Sequence, residues 1–217
     1  MASTATQRPR LSAEERRAAI IDAAVRLFSQ RGFRGTTTRD LASAVGVTEP
    51  ILYQHFATKR DLYRAIIESS CRAERPSYAG SDLALEAASR AEDDHAFFTR
   101  LGELLLEWYE REPHVVRLLL FSALEGHEMS DLFFERQIVV YYEMLTGYIK
   151  RRMNKRAFRR MEPVMAARAF TGMITHYGLV QTVFGGPRVG PVLSRKQVVE
   201  NFARIFLDGM RNLRSNP

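Results

Sequence analysis

The chain has 217 residues, 46% hydrophobic and 26% charged, a balance that fits a globular protein with a real core and excludes a mini-protein or a disordered chain. No apolar run approaches the roughly 20 residues that span a bilayer, "MASTATQRPR" lacks the apolar core of a secretory signal, and one cysteine cannot pair internally, so the expected compartment is the reducing cytoplasm. The net charge of +7 is concentrated in residues 1–60, with ten Lys/Arg against five Asp/Glu, which points to a polyanion-binding head on a nearly neutral body.

In chain order, the arm "TATQRPR" carries Arg8 and Arg10 without an acid; it is either a solvated tail or a segment that enters a minor groove on binding. "LSAEERRAAIIDAAVRLFSQRGF" places Ser12 and Glu15 at capping-box spacing and Ile20, Ala24, Leu27 and Phe28 at helical intervals, and Gly32 ends the helix. "GTTTRDLASAVG" predicts a second, short helix capped by Thr37 or Thr38, with Leu41, Ala42 and Val45 inward and Gly46 as its terminator. In "GVTEPILYQHFATKRDL" Thr48 caps a third helix and Pro50 sits harmlessly in its first turn. Leu52 and Phe56 share its inner face, and Thr58 with Asp61 opens a fourth helix. The three-residue link after Val45 fixes the angle between the second and third helices, as a helix-turn-helix requires.

A third helix that turns Tyr53, Gln54 and His55 outward carries hydroxyl, amide and imidazole groups suited to base edges in the major groove. Lys59 and the amides of the next helix are then placed for phosphate.

The stretch Ala19 to Ile67 also resembles the amino-terminal domain of the TetR family of bacterial one-component transcriptional regulators. The resemblance lies in the aromatic and glycine of Phe28 to Phe33, Gly-Thr-Thr before the second helix, Ala-Val-Gly-Val at the turn, and then Leu-Tyr-x-His-Phe and Lys. It implies an all-α homodimer with a helix-turn-helix DNA-binding domain at residues 1–70. An antiparallel helical domain at 71–217 would bind a small inducer and dimerise, and the inducer would release an inverted-repeat operator. Matched position by position, it implies DNA contacts from Thr37, Thr38, Arg39, Thr48, Glu49, Pro50, Ile51, Tyr53, Gln54 and His55, with Lys59 on phosphate. Glu49 is unusual there, because the helix dipole favours its charge and phosphate does not. It either accepts from a cytosine amino group or serves only the helix.

Beyond the Pro/Gly/Ser-rich break "RAERPSYAGSD" the periodicity predicts five more helices, in "HAFFTRLGELLLEWYERE", "PHVVRLLLFSALEG", "MSDLFFERQIVVYYEMLTGYIKRRMNK", "EPVMAARAFTGMITHYGLVQTVFG" and "SRKQVVENFARIFLDGM". Ser194 and Gln197 make a capping box for the last. "GGPRVGPVLS" before it reads as a rigid turn, not a phosphate loop, which needs a preceding strand and a following Lys. The body is rich in aromatics, among them Phe97, Phe98, Trp108, Tyr109, Phe121, Tyr141, Tyr142, Tyr148, Phe170 and Tyr177. Such rings either pack a core or line a cavity for an apolar or aromatic inducer, and Phe97, Phe98, Trp108, Phe121, Tyr141, Tyr148, Phe170 and Tyr177 are the candidates for contact. Gly172, His176, Leu179 and Val183 form one stripe of the penultimate helix and Phe202, Phe206, Gly209 and Met210 one of the last; small residues among large ones suit a four-helix dimer interface.

"KRRMNKRAFRR", Lys150 to Arg160, holds seven basic residues without an acid, as a solvated helix end or as a second contact with DNA or an acidic partner. Cys71 is a passive thiol or a redox sensor. The histidines at 55, 95, 114, 127 and 176 show no catalytic or zinc spacing, and Glu112, His114, Glu125 and His127 have ligand chemistry without a Cys/His cluster. The expectation is a regulator with no catalytic residue, metal or cofactor and no membrane partner. The alternative of a different class is a helical interaction or membrane-surface protein, and against it the cations cluster around a capped helix-turn-helix instead of one long amphipathic face.

Overall fold

Side-chain caps satisfy free amides at the starts of three of the head's four helices. The computed structural model describes residues 12–70, 82–126, 131, 133–186 and 191–212; Arg8, Arg10, Cys71, nearly all of the break after it, His127 and residues 187–190 lie outside them. α1 (Ala13–Arg31) opens on the Ser12–Glu15 capping box, and α2 (Thr38–Val45) on a second box made by Thr37 and Asp40. Gly46 then takes the left-handed conformation, φ 71 and ψ 33, that lets the chain turn straight into α3 (Glu49–His55). Thr48 stands at the N-cap of α3 but its side chain makes no capping bond, because Pro50 removes one of the two amides such a cap would serve. α4 (Lys59–Ser70) starts from Thr58, whose hydroxyl accepts from the Asp61 amide at 3.0 Å.

The body is also helical: α5 (Leu83–Ala91), α6 (Asp94–Arg111), α7 (Pro113–Glu125), a π-helical run Phe134–Val139 that continues into α8 (Val140–Asn154), α9 (Pro163–Val183) and α10 (Arg195–Met210). α5 is absent from the sequence reading; Asp82 caps it and Leu85 and Ala88 bury its inner face, but nine residues hold too few apolar repeats to stand out. No described helix is long and apolar enough to cross a membrane.

Two apolar clusters organise these elements. In the body, α6 lies between α9 and α10 and buries Phe97, Phe98, Leu101 and Leu105 against Tyr148, Phe170, Ile174 and Phe206. Phe97 stacks on Tyr148 with ring centres 3.7 Å apart, and Phe98 meets Phe170 edge-on at 4.9 Å. Phe97, Phe98, Tyr148 and Phe170 are therefore core, not cavity wall: all four are essentially inaccessible and their rings fill one another's space. Phe206 and Met210 are likewise buried in this core, so the outward stripe of α10 runs one position earlier, through Ile205, which is 59% exposed, and Gly209. On α9 the exposed residues include Met165, Ala169, Gly172 and His176, while Leu179 and Val183 are half-buried.

The second cluster holds the head: Ile20, Phe28, Leu41, Leu52, Phe56, Leu62, Tyr63 and Ile66, together with Leu118 of α7 and Phe133. The basic run at the end of α8 is partly structural, because Arg152 binds Asp94 at 2.7 Å and Glu92 at 2.6 Å, and Lys155 also meets Glu92.

At Gly102 α6 packs closely on α10 and α9: a Cβ there would stand 2.8 Å from Val199 Cγ1 and 3.2 Å from Ile174 Cδ1. Gly102→Ala is expected to lower unfolding stability by about 1–3 kcal/mol through overpacking, despite alanine's better helix propensity. Urea unfolding followed by circular dichroism measures the difference.

Candidate nucleic-acid interface and ligand cavity

The helix-turn-helix presents one exposed face. Thr37, Arg39, Thr48, Pro50, Tyr53 and Gln54 are exposed on it, joined by Ser43 and Ala44 of α2, which the sequence reading did not single out. Thr38, Ile51 and His55 are half-buried at its margin. The Thr38 hydroxyl donates to Glu49 Oε2 at 2.6 Å, so the unusual carboxylate ties the start of α3 to the start of α2. Arg17 fixes the other end of α3: it donates to the His55 carbonyl at 2.9 Å and lies over the Phe56 ring at 4.2 Å.

Lys59 does not extend toward solvent as a phosphate ligand would. Its ammonium donates to the Phe33 carbonyl and sits 4.1 Å from the centre of the Phe33 ring. Burial holds it below the ordinary lysine range, and Glu125 pulls in the opposite direction. A lone lysine just after α3 gives no signal of this in the sequence, because the partner carbonyl lies 26 residues earlier.

Glu125, at the last turn of α7, accepts from the amides of Phe33 at 3.2 Å and Arg34 at 3.4 Å, in the loop that leads into α2. Gly32 has φ 70, and a Cβ there would overlap the Glu125 carboxylate and approach the Phe121 ring, so glycine is required on both counts. Phe121 therefore belongs to this junction. His114, at the other end of α7, pairs with Ser29 of α1 at 3.1 Å.

A cavity of about 360 Å³ opens among α6, α7, the π-helical run, α8 and α9. Of the expected ligand contacts, Trp108 and Tyr141 line it; Leu105, Tyr109, Leu119, Phe133, Ile138 and Leu179 supply most of the remaining apolar wall. Tyr177 points elsewhere, packing on Phe202 at 6.2 Å. Tyr177 and Leu179 thus exchange their expected faces, since two residues along a helix is a turn of about 200°. The polar groups are hydroxyls and amides: Tyr109, Gln137, Tyr141, Tyr142, Thr171 and Thr175. Tyr141 Oη and Thr171 Oγ1 are 3.0 Å apart. Burial pushes the Tyr109 phenol up to about 12 and raises that of Tyr141 further, so both are neutral in the physiological range. Among the described residues, no Asp, Glu, Lys or Arg lines the cavity.

Trp108, Leu119, Phe133 and Ile138 face two ways: they line the cavity and they pack on or within the head cluster. Phe133 stacks against Trp108 with ring centres 6.0 Å apart.

Comparison with known proteins bears on both parts. The family model described as "Bacterial regulatory proteins, tetR family" matches residues 20–66, and that described as "AefR-like transcriptional repressor, C-terminal domain" matches residues 99–209. The chain is 35% identical over 126 residues to the nucleoid occlusion factor SlmA of Marinobacter nauticus, an alignment that covers 56% of this chain and 62% of that one. To the HTH-type transcriptional regulator AcrR of Shigella flexneri it is 47% identical over 58 residues, covering 27% of each. Among solved structures, AibR in complex with isovaleryl coenzyme A and operator DNA superposes with a TM-score of 0.65 at 20% identity, covering 88% of this chain and 97% of that one. At such identity the likeness is one of fold.

Glu125→Ala leaves the Phe33 and Arg34 amides without their acceptor. The expected outcome is faster hydrogen exchange at those two amides, with the α6 core unchanged; mass-spectrometric exchange resolves the two regions.

Proposed function

The chain belongs to the TetR family of bacterial regulatory proteins, and we propose that it is a cytoplasmic homodimeric repressor that a small neutral ligand releases from an inverted-repeat operator. The observation that carries the reading is the wall shared by cavity and head, formed by Trp108, Leu119, Phe133 and Ile138. A ligand that fills the cavity pushes on side chains that also complete the head's core. Two heads respond together if α9 and α10 pair across a two-fold through Met165, Gly172, His176, Phe202 and Ile205. Ligand and operator then oppose one another through the protein, each weakening the other by the same factor.

The cavity's chemistry restricts the ligand. Its size suits a compact molecule, its wall is apolar and aromatic, and the Tyr141–Thr171 pair offers one hydrogen-bonding point. A charged group would be desolvated there with no counter-ion among the described residues. The isovaleryl coenzyme A of the AibR complex would leave its phosphates unmatched, so the inducer here is an uncharged aromatic or alicyclic compound with one polar substituent.

On the DNA side, Gln54 reads a base edge while Lys59 positions the loop before α2. Gln54→Ala is expected to cost about 1–3 kcal/mol on the cognate operator and much less on scrambled duplex. Lys59→Ala is expected to weaken both duplexes alike. Half-site centres should lie about 10 base pairs, or a near multiple, apart. Fluorescence anisotropy on the two duplexes measures these effects, and unchanged cognate affinity for Gln54→Ala, Tyr53→Phe and His55→Ala together would remove the assignment of α3 as the recognition helix.

Trp108 is the single tryptophan and lines the cavity, so its emission reports occupancy. Compounds of the stated class are expected to shift Trp108 fluorescence and to lower operator affinity. Tyr141→Phe with Thr171→Val should weaken those compounds by about 0.5–1.5 kcal/mol. Equal ligand affinity for free and operator-bound protein would refute the linkage.

A further inference from the structure

The basic loop between α8 and α9 lies at the pole of the body opposite the head. α6 serves as the ruler: Trp108 near one end packs on the head cluster, while Asp94 at the other binds Arg152 and Tyr148, and 18 helical residues separate those ends by about 25 Å. The loop is held on several sides. Ala157 and Phe158 donate their amides to the Arg152 carbonyl, Phe158 pairs with Arg211 in an antiparallel bridge, and the Arg159 amide donates to the Met210 carbonyl at 2.9 Å. Asn212 Nδ2 donates to the Arg156 carbonyl at 3.2 Å, and the Phe158 ring is buried in the body core. Arg156 takes φ 61, a conformation that a non-glycine residue adopts only at a cost.

These restraints frame a groove of about 600 Å³ between Arg156, Arg159 and Arg160 on one side and Asp208, Arg211 and Asn212 on the other. Four guanidinium groups face one carboxylate. Arg211 is within 3.4 Å of Asp208, which leaves the Asp208 charge matched. Arg159 and Arg160 make no side-chain hydrogen bond or ion pair among the described residues, and both are exposed. The contrast with the same stretch one turn earlier is informative, because Arg152 and Lys155 are matched to Glu92 and Asp94. The chain therefore neutralises the cations its core needs and leaves an excess of positive charge around a concave surface that the loop's bonds keep open.

We propose that this groove is a binding site for a small soluble anion bearing two or more phosphates, distinct from the neutral-ligand cavity. Guanidinium forks match phosphate oxygens in pairs, and the two adjacent arginines without a side-chain partner among the described residues, Arg159 and Arg160, call for more than a single monoanion. The volume is that of a nucleotide-sized ligand site and its place at the far pole keeps it away from an operator held by α3. An extended duplex or an acidic peptide has no need of so small a concavity.

The test uses the full-length protein, with inorganic pyrophosphate and ATP as probes, in isothermal titration at 0.15 M salt, and sodium sulfate at matched ionic strength as the control. Saturable binding of one probe molecule per chain, at least tenfold weaker in Arg159→Gln/Arg160→Gln, supports the site; that variant should retain the wild-type melting temperature without ligand and the wild-type operator affinity. Binding equal in the variant and wild type, no binding of either probe, or sulfate heats equal to those of pyrophosphate would each overturn it. So would selective capture, at this pole, of scrambled duplex or a poly-glutamate peptide in place of the phosphates.

Discussion

The head does not complete its own hydrophobic core. Residues 12–70 form four helices, the longest of 19 residues, and their apolar faces converge on Phe28 and Tyr63, but the cluster closes only when Leu118 of α7 and Phe133 enter it. A unit of about 60 residues buries too small a share of its surface to be strongly stable alone. The apolar contact of α1 with α7 is thus the condition for the helix-turn-helix to have a defined position. The polar contacts follow the same seam: Ser29 with His114 at one end of α7, and the Phe33 and Arg34 amides with Glu125 at the other.

That seam explains why the head was so legible in the sequence and the body less so. Caps and terminators are local: Ser12 with Glu15, Thr37 with Asp40, Thr58 with Asp61 and Gly46 each act within three or four residues, so their chemistry is written next to the structure it makes. Long-range partners are not. Nothing near Lys59 announces that it will turn to Phe33, and nothing near Glu125 announces the loop before α2. In the body the aromatics gave the right class of residue but not its role, because Phe97 and Tyr148 stack against each other whereas Trp108 and Tyr141 face a void, and the difference depends on which neighbour fills the space. The stripe of α10 was off by one position for the same reason: Ile205 and Phe206 are equally apolar, and only the burial of Phe206 by Phe98 and Phe170 decides which faces out.

The π-helical run Phe134–Val139 adds a local device at the seam. Widening one turn of a helix shifts the register of every side chain after it. Phe133 before the run stays buried in the head cluster, Phe134 at its start is 55% exposed, and Gln137 and Ile138 within it line the cavity. An uninterrupted α-helix would rotate Ile138 relative to Phe133, and one segment would no longer serve both the head cluster and the cavity wall.

Magnitudes favour this seam as the route of communication in the proposed mechanism. Releasing a repressor needs a coupling free energy of about 1–3 kcal/mol between ligand and operator sites. Removing a phenylalanine entirely from a core costs about 3–5 kcal/mol, so a partial displacement of the Phe133 ring by a ligand in contact with it lies in the range required. No ion pair need break and no helix need unfold. Exposed ion pairs, worth about 0–1 kcal/mol each, are too weak to carry the coupling singly. A large rearrangement of the α6 core, with Phe97, Phe98 and Tyr148 interlocked, is too costly. The shared apolar wall is the element whose energy matches that task, so in the proposed mechanism a neutral ligand that only competes for volume would suffice to act on α3.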